Sequence, residues 1–184
     1  MRILVCGVGT LGGNLVEHLA RTTQDQLIVL DHDKVERHNL KNQPYFQHQI
    51  GKSKVAALAE NVFRIAGQKL QTHHKTLTAQ NAGGFLEGIE LVVDCFDNHQ
   101  ARADLQKACR LARVEFVHMG LAPDYGEVVW DAHYRVPPDV TRDPCAEPLS
   151  RGLALQAVVL FEKARSEGKS LCFTAGDLAV NCLG

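Results

Sequence analysis

A glycine-rich loop near residue 10 has the spacing of a phosphate-binding turn. Gly7, Gly9 and Gly12 follow a short apolar run and precede a segment with helical periodicity. In such a strand–loop–helix arrangement, the free backbone N–H groups and the positive end of the helix dipole favour an anion. Gly7 and Gly9 allow a tight turn and close approach, and Gly12 lets the helix pack on the strand. The loop therefore predicts binding of a nucleotide phosphate, although a purely structural turn can have the same spacing.

Asp31 ends the next predicted strand, where a carboxylate can accept from both hydroxyls of a ribose. This position fits NAD and ATP equally well, and a helix cap or surface acid is the structural alternative. The chain then departs from a dehydrogenase, because residues 32–51 replace the expected short turn with a long polar loop. That loop contains Asp33, Asn39 and Gln43.

A lysine and a second acidic segment follow. Lys54 opens a helical pattern, and Asp97 comes directly after the apolar run around residues 89–95. Because parallel strands end at one edge of a sheet, we expect Asp31, Lys54 and Asp97 to converge. A lysine with a carboxylate-bound magnesium ion suits a triphosphate, whereas a nicotinamide needs neither.

The elements that must position these residues alternate between short apolar runs and helical patterns. Buried strands are predicted at Ile3–Cys6, Leu27–Leu30, Ile89–Cys95 and Val114–Met119, with a more polar edge strand at Gln68–Lys75. Glu127–Asp131 should pair antiparallel after a tight turn, and residues 151–166 form a last helix, either deeply buried or at a subunit interface. The predicted fold is α/β, a Rossmann-like doubly wound, mostly parallel sheet with an antiparallel C-terminal strand extension.

Length and composition predict one domain over residues 1–184, comprising a core at 1–135, a crossing loop at 136–150, and a C-terminal helix and tail at 151–184. The formal net charge of −1 and the absence of a basic stripe argue against nucleic acid. No apolar run reaches the roughly 20 residues that span a bilayer. A core strand starting at Ile3 leaves no room for a signal peptide, so we expect a cytoplasmic protein without membrane contact.

Four motifs in register resemble the ThiF/MoeB/HesA family, which is related to the ubiquitin-activating enzymes. They are Gly7-x-Gly9-x-x-Gly12, Asp31-x-Asp33-x-Val35 with Asn39-Leu40-x-x-Gln43, Gly51-x-x-Lys54, and Asp94-x-x-Asp97-Asn98. The resemblance implies ATP-dependent adenylation of the C-terminal carboxylate of a small ubiquitin-like β-grasp carrier protein. It places that reaction in sulfur transfer or a related cofactor or modifier pathway, carried out by a homo- or heterodimer.

The resemblance also assigns roles to individual residues. Gly7, Gly9 and Gly12 would cradle the phosphates, Asp31 would hold the ribose, and Lys54 would contact phosphate; Asp97 would hold Mg²⁺, with Asp33, Asn39 and Gln43 completing the nucleotide site. Some relatives carry an acyl-accepting cysteine in the crossing loop, where this chain has Cys145. No zinc is expected, because Pro148 replaces the second cysteine of the first Cys-x-x-Cys pair that many relatives use.

Two departures from the family pattern open alternatives. Asn42 stands where the family usually has a phosphate-contacting arginine. The sequence opens on the first predicted strand, so we also expect no contribution from the N-terminal extension that supplies another arginine in the family. A transition-state arginine can be worth on the order of 10³ in rate. The second hypothesis is therefore a non-catalytic nucleotide-binding scaffold or partner subunit, and the third is an NAD-dependent oxidoreductase.

Overall fold

The computed structural model describes residues 1–123, 125–137 and 150–174. Within them, the chain forms a seven-stranded sheet in the order β3-β2-β1-β4-β5-β6-β7. The strands are β1 (Arg2–Cys6), β2 (Gln26–Asp31), β3 (Gln71–His74), β4 (Leu91–Asp94), β5 (Glu115–Ala122), β6 (Tyr125–Trp130) and β7 (Leu171–Thr174). The first five run parallel, whereas β6 pairs antiparallel with β5, and β7 antiparallel with β6. This is the predicted Rossmann-like sheet with its antiparallel extension.

Successive residues of a strand point to opposite faces of the sheet, and in the central strands the residues on both faces are apolar. Helices therefore cover both faces. The α-helices are α1 (Thr10–Thr22), α2 (Lys54–Ala66), α3 (His99–Ala112) and α4 (Ser150–Glu167). Val5 of β1 packs with residues of α1, α2 and α4, whereas its neighbours Leu4 and Cys6 pack with residues of α3. The two cores on opposite faces explain why the central strands lack polar alternation.

The C-terminal region differs from the prediction in one element. The tail predicted after the last helix contains a strand, β7, whose Phe173 is buried while Cys172 and Thr174 are exposed. Helix α4 buries Leu153 and Phe161 but leaves Leu155 48% and Val159 67% exposed, so it is buried along one side only. Most of the predicted crossing loop at 136–150 lies outside the described residues.

The fold brings the carboxyl ends of the central strands to one edge. Cys6 at the end of β1 pairs with Leu30 in β2 on one side and with Asp94 of β4 on the other. Asp31 directly follows Leu30. The segments leaving β1, β2 and β4 therefore start side by side, as expected for a ligand site in a sheet of this type.

Candidate nucleotide-binding site

The three glycines of the first loop have different structural reasons to be glycine. Gly7 has φ +82°, and a Cβ placed on it would lie 2.8 Å from the Cys95 carbonyl oxygen. A Cβ on Gly12 would lie 1.9 Å from the Gly7 carbonyl oxygen, which is possible for no side chain. A Cβ on Gly9 would meet only the Gln43 Nε2, 3.8 Å away, among the described residues. Gly7 and Gly12 are thus required by packing, and Gly9 has the most open surroundings of the three.

Asp31 and Tyr45 hold this loop from opposite sides of Val8. The Val8 N–H donates to Asp31 Oδ2 at 2.8 Å, and the Tyr45 hydroxyl donates to the Val8 carbonyl at 2.6 Å. Asp31 Oδ1 also accepts the Asp33 N–H at 2.8 Å. Each carboxylate oxygen has two acceptor sites, so Asp31 retains capacity for a ribose hydroxyl. Its first structural role is nevertheless to shape the glycine loop.

Tyr45 is a site residue that the sequence analysis missed. Burial, with a smaller contribution from Asp31, raises the pKa of Tyr45 well above its ordinary value, so it remains a hydroxyl donor. The available signal was an aromatic residue with a polar tip inside an otherwise polar loop.

The long loop after β2 is joined to the start of α2 by backbone pairing. Val35 N–H donates to the Lys52 carbonyl and Gly51 N–H to the Val35 carbonyl, both at 2.8 Å. The Lys54 N–H donates to the Asp33 carbonyl at 2.9 Å. This pairing places the first residue of α2 beside the end of β2, as the sequence predicted for Lys54.

Lys54 and Asp33 form an ion pair, with Nζ 2.9 Å from Oδ2. The lysine is buried and the aspartate exposed. Partial burial alone would raise the pKa of Asp33, but the hydrogen bond and charge of Lys54 outweigh it and hold that pKa below the ordinary value. An ammonium group has three N–H donors, so Lys54 can contact a phosphate while keeping this partner.

The polar residues of the loop have divided roles. Asn39 Oδ1 accepts the Glu36 N–H at 2.8 Å and caps a short 3-10 helix, so its side chain organises the loop. Asn42 is buried, and its carbonyl accepts from Asn14 Nδ2 at 3.3 Å. Gln43 has a buried Oε1 without a hydrogen-bond partner among the described residues, next to Gly9. A buried acceptor without a partner is costly, so this atom fits a donor on a ligand.

A second network, also missed from the sequence, fixes the far half of this loop to α2. Gln49 Nε2 donates to Asn61 Oδ1 at 2.7 Å, and Asn61 Nδ2 donates to the Pro44 carbonyl at 2.9 Å. Both amides are buried. Their separation of 12 residues leaves no periodic signal by which the sequence could have predicted the contact.

Asp97 lies on the loop that leaves β4 for α3. The Cys95 N–H continues the strand pairing by donating to the Cys6 carbonyl at 2.8 Å, and Arg102 Nε donates to the Phe96 carbonyl at 2.7 Å. Asn98 caps α3 by accepting the Ala101 N–H at 2.8 Å. Asp97 itself is exposed. It follows Cys95 and Phe96, which both pack against Gly7, so it leaves the sheet beside the glycine loop.

Two further candidates remain, a metal-binding cluster at the end of β2 and the predicted acyl acceptor Cys145. Asp31, His32 and Asp33 offer ligand atoms within 4.8 Å of one another. Asp31 already accepts backbone N–H groups and Asp33 already pairs with Lys54, so these contacts account for both carboxylates without a metal. Cys145, the predicted acyl acceptor, lies outside the described residues.

The sequence profile of the ThiF family matches residues 1–152. The chain belongs to the ThiF family. The match extends over the glycine loop, the polar loop, Lys54 and Asp97, so the motifs that suggested this family stand in the matched region.

Curated ThiF relatives include two kinds of activating enzyme. The chain is 36% identical to the adenylyltransferase and sulfurtransferase MOCS3 of Anopheles gambiae, over 62% of this chain and 26% of that protein. It is 28% identical to the ubiquitin-like modifier-activating enzyme 5 of Drosophila simulans, over 98% of this chain and 48% of that protein. The chain thus spans about half or less of the length of these relatives.

Solved ThiF-type structures agree with the fold. The E. coli tRNA N6-threonylcarbamoyladenosine dehydratase TcdA in complex with AMP superposes with a TM-score of 0.63 at 27% identity, covering 66% of this chain and 51% of that one. Its complex with ATP gives a TM-score of 0.62. In the described part of this chain, no helix is long and apolar enough to cross a membrane.

Proposed function

We propose that the chain uses ATP to adenylate the C-terminal carboxylate of a small ubiquitin-like β-grasp carrier protein. The observation that carries the proposal is the exposed backbone of Gly9 beside the Gln43 amide, whose buried Oε1 has no hydrogen-bond partner among the described residues, at the sheet edge where Asp31 and Lys54 also lie. Membership of the ThiF family and the TcdA structures with AMP and ATP support the same ligand.

The residues at this edge suit a nucleotide triphosphate. The first turn of α1 follows Gly9 and has no side-chain cap, so its N–H groups and helix dipole favour the phosphates. Asp31 holds the ribose, and Gln43 accepts a hydrogen bond from the bound nucleoside. Lys54 supplies a positive charge from a buried position, where Coulomb attraction is screened less than at the surface.

The reaction needs positioning and charge neutralisation more than a general base. A carrier carboxylate is already ionised when it attacks the α-phosphorus, forming a C–O–P bond as pyrophosphate leaves with the electron pair of the broken P–O bond. Two anions must therefore approach each other, and Lys54 and the loop N–H groups lower that cost. Asp97 would hold magnesium, which when bound supplies further neutralisation of the phosphates.

The proposal also includes the pathway, the oligomeric state and the cellular location of the protein. A pathway of sulfur transfer or modifier attachment, a homo- or heterodimer and a cytoplasmic location fit the family's chemistry. Sedimentation velocity on the purified chain, alone and with candidate carriers, measures the assembly. Cys145 remains a candidate acyl acceptor, which a thioester assay on Cys145→Ser tests.

A second candidate function is a nucleotide-binding subunit without catalysis. Asn42 favours it, because a buried asparagine replaces the arginine expected from the family. Exposed Arg37 or Lys41 on the neighbouring 3-10 helix, or a partner protein, would then have to supply the missing charge for activity.

Two measurements test these proposals. A ligand that binds only the native state at about 100 times its Kd adds about 2.7 kcal/mol of stability. Stabilisation by magnesium–ATP without stabilisation by NAD supports nucleotide binding of this class, and the reverse result contradicts it. ATP–pyrophosphate exchange dependent on an added β-grasp carrier with a free C-terminal glycine supports the enzyme. ATP binding with no exchange for any carrier, alone or with a partner subunit, supports the scaffold.

A further inference from the structure

A histidine and a carboxylate form a fully buried pair beneath the loop that carries Asp97. Asp94, the last residue of β4, is 0% exposed, and His118, directly beside it in β5, is 1% exposed. His118 Nδ1 lies 2.8 Å from Asp94 Oδ2. The side chains of this pair lie on the α3 side of the sheet. The roles already described for the glycine loop, the polar loop and Lys54 therefore do not explain it.

The second oxygen of Asp94 shapes the chain directly before Asp97. Asp94 Oδ1 accepts the Phe96 N–H at 3.1 Å, which turns the backbone sharply as it leaves β4. On the other side of this turn, Arg102 Nε holds the Phe96 carbonyl. The orientation of the Phe96 peptide therefore depends on where the Asp94 carboxylate points, and Asp97 is the next residue.

The same turn contacts the glycine loop. The Cys95 carbonyl oxygen and the Phe96 ring lie 2.8 Å and 3.2 Å from the position of a Cβ on Gly7. A shift of this turn would therefore displace two parts of the proposed nucleotide site, the glycine loop and Asp97.

The surroundings of Asp94 make it dependent on a donor. It is packed near the buried thiols of Cys6 and Cys109, and burial, followed by the negative charge of Asp94, raises the pKa of Cys109 to about 12. A buried carboxylate without a hydrogen-bond donor is strongly disfavoured, so Asp94 would turn away from its present position if the donor were lost. The His118 ring supplies a side-chain hydrogen bond to this carboxylate.

The ring of His118 is held in place by an aromatic contact. Its ring stacks on Tyr134 with centroids 4.1 Å apart and planes 16° apart. Its Nε2 lies 3.9 Å from Glu127 Oε1 in β6, a distance too long for a hydrogen bond. The ring is therefore held with Nδ1 towards Asp94.

We propose that His118 is a positioning residue for the nucleotide site: its Nδ1–H holds the Asp94 carboxylate, which fixes the Phe96 amide and thereby places Asp97. This inference rests on the proposed function for its consequence, but its structural step can be tested without any nucleotide. The alternative is that His118 only fills space in the core.

Two polar substitutions separate these roles. In His118→Asn, the side-chain amide nitrogen occupies the place of Nδ1, whereas in His118→Gln it reaches towards the place of Nε2. Val117→Ala is the stability control, because Val117 is equally buried in the same strand but packs on the opposite face of the sheet.

The first readout is hydrogen exchange of the Phe96 amide, measured by NMR on the nucleotide-free protein. We expect His118→Gln to speed exchange of this amide about tenfold or more, as loss of a hydrogen bond to a charged group does, and His118→Asn to stay near the native rate. Val117→Ala should change this amide no more than neighbouring amides in β4. Equal behaviour of the asparagine and glutamine variants, in either direction, would overturn the proposal.

The second readout is the magnesium concentration that gives half-maximal ATP–pyrophosphate exchange. We expect His118→Gln to raise it about tenfold, with magnesium-free ATP binding unchanged and with the asparagine variant close to the native protein. An unchanged requirement in His118→Gln overturns the link to Asp97. If the native protein shows no exchange, the proposed function fails, while the amide measurement still decides the role of His118.

Discussion

Lys54 is a buried cation that links the start of α2 to the end of β2 through its ion pair with Asp33. Replacing it with methionine keeps most of its volume but removes the charge that faces Asp33. We expect Lys54→Met to weaken ATP binding about tenfold or more, the range for losing a hydrogen bond between charged groups. Titration calorimetry measures the affinity. Lys52→Met is the matched control, since exposed Lys52 pairs with Glu60 at 3.0 Å, away from the glycine loop. Equal affinity of the two variants would remove Lys54 from the site.

Asp97 gives a second prediction at the same scale. Because its side chain is exposed, Asp97→Ala should change the melting temperature little, while ATP–pyrophosphate exchange falls below detection. Asp104→Ala in α3, whose carboxylate accepts from Gln100 at 2.9 Å, is the control and should keep full exchange. Native turnover in Asp97→Ala would show that this carboxylate does not hold the metal.

The residues of the site differ in how far the sequence could predict them. The positions of Asp31 at the end of β2 and Lys54 at the start of α2 were predictable, because strand ends and helix starts in this fold have fixed places; their roles towards a nucleotide stay predictions. Tyr45 was not, since its partner is the backbone carbonyl of Val8, 37 residues away and without a side-chain signature. Asn39 stays a predicted part of the nucleotide site, and the structure adds that its side chain caps a 3-10 helix in the loop.

At the scale of elements, the strand–loop–helix unit β1–α1 offers a test with two glycines. In Gly9→Ala the added Cβ meets only Gln43 Nε2 among the described residues, at an ordinary contact distance of 3.8 Å, so we expect stability near the native value. We expect weaker ATP binding, because the methyl group intrudes on the proposed phosphate site. Gly12→Ala drives its Cβ into the Gly7 carbonyl, and we expect a loss of several kcal/mol, on the order of the largest single-site effects. Urea denaturation and ATP titration on both variants measure the two quantities. Equal loss of stability in the two variants would contradict this division of roles.

The elements themselves were predictable where burial is continuous. The parallel strands β1, β2 and β4 follow from runs of Val, Ile and Leu, and β5 from a more mixed apolar run that includes Phe116, Val117 and Met119. The strand bounds shift by a few residues because helix and strand ends depend on local pairing. Strand β7 was missed although Leu171, Cys172 and Phe173 are apolar, because periodicity over four residues cannot distinguish a strand from another short apolar segment. It exists because β6 offers an unpaired edge, which is a property of the tertiary structure.

At the scale of the whole molecule, Asp25 joins distant parts of the chain. Its Oδ2 accepts from Arg165 near the end of α4 at 3.0 Å, and its Oδ1 accepts from the amino group of Met1 at 2.7 Å. Burial alone would raise the pKa of Asp25, but the hydrogen bonds from these two cations outweigh it and lower that pKa below its ordinary value. A carboxyl whose pKa is lower in the folded than in the unfolded state stabilises the fold at pH values above its unfolded-state pKa. That contribution is lost as the pH falls through the folded-state pKa.

We therefore expect Asp25→Asn to be less stable than the native protein at neutral pH, with a difference that shrinks as the pH falls below about 4. The shrinkage arises because, as the pH falls, the carboxyl takes up a proton in the unfolded state before it does so in the folded state. It is complete once the folded carboxyl is protonated too, when the two proteins carry the same charge at this position. Denaturant unfolding at a series of pH values from 7 to about 3 measures the difference. The control is Glu17→Gln, whose pair with Arg21 at 2.9 Å lies on the surface of one helix and should matter little at any pH. A difference for Asp25→Asn that stays constant over this range would show that its hydrogen bonds, and not its charge, connect α4 to the turn before β2.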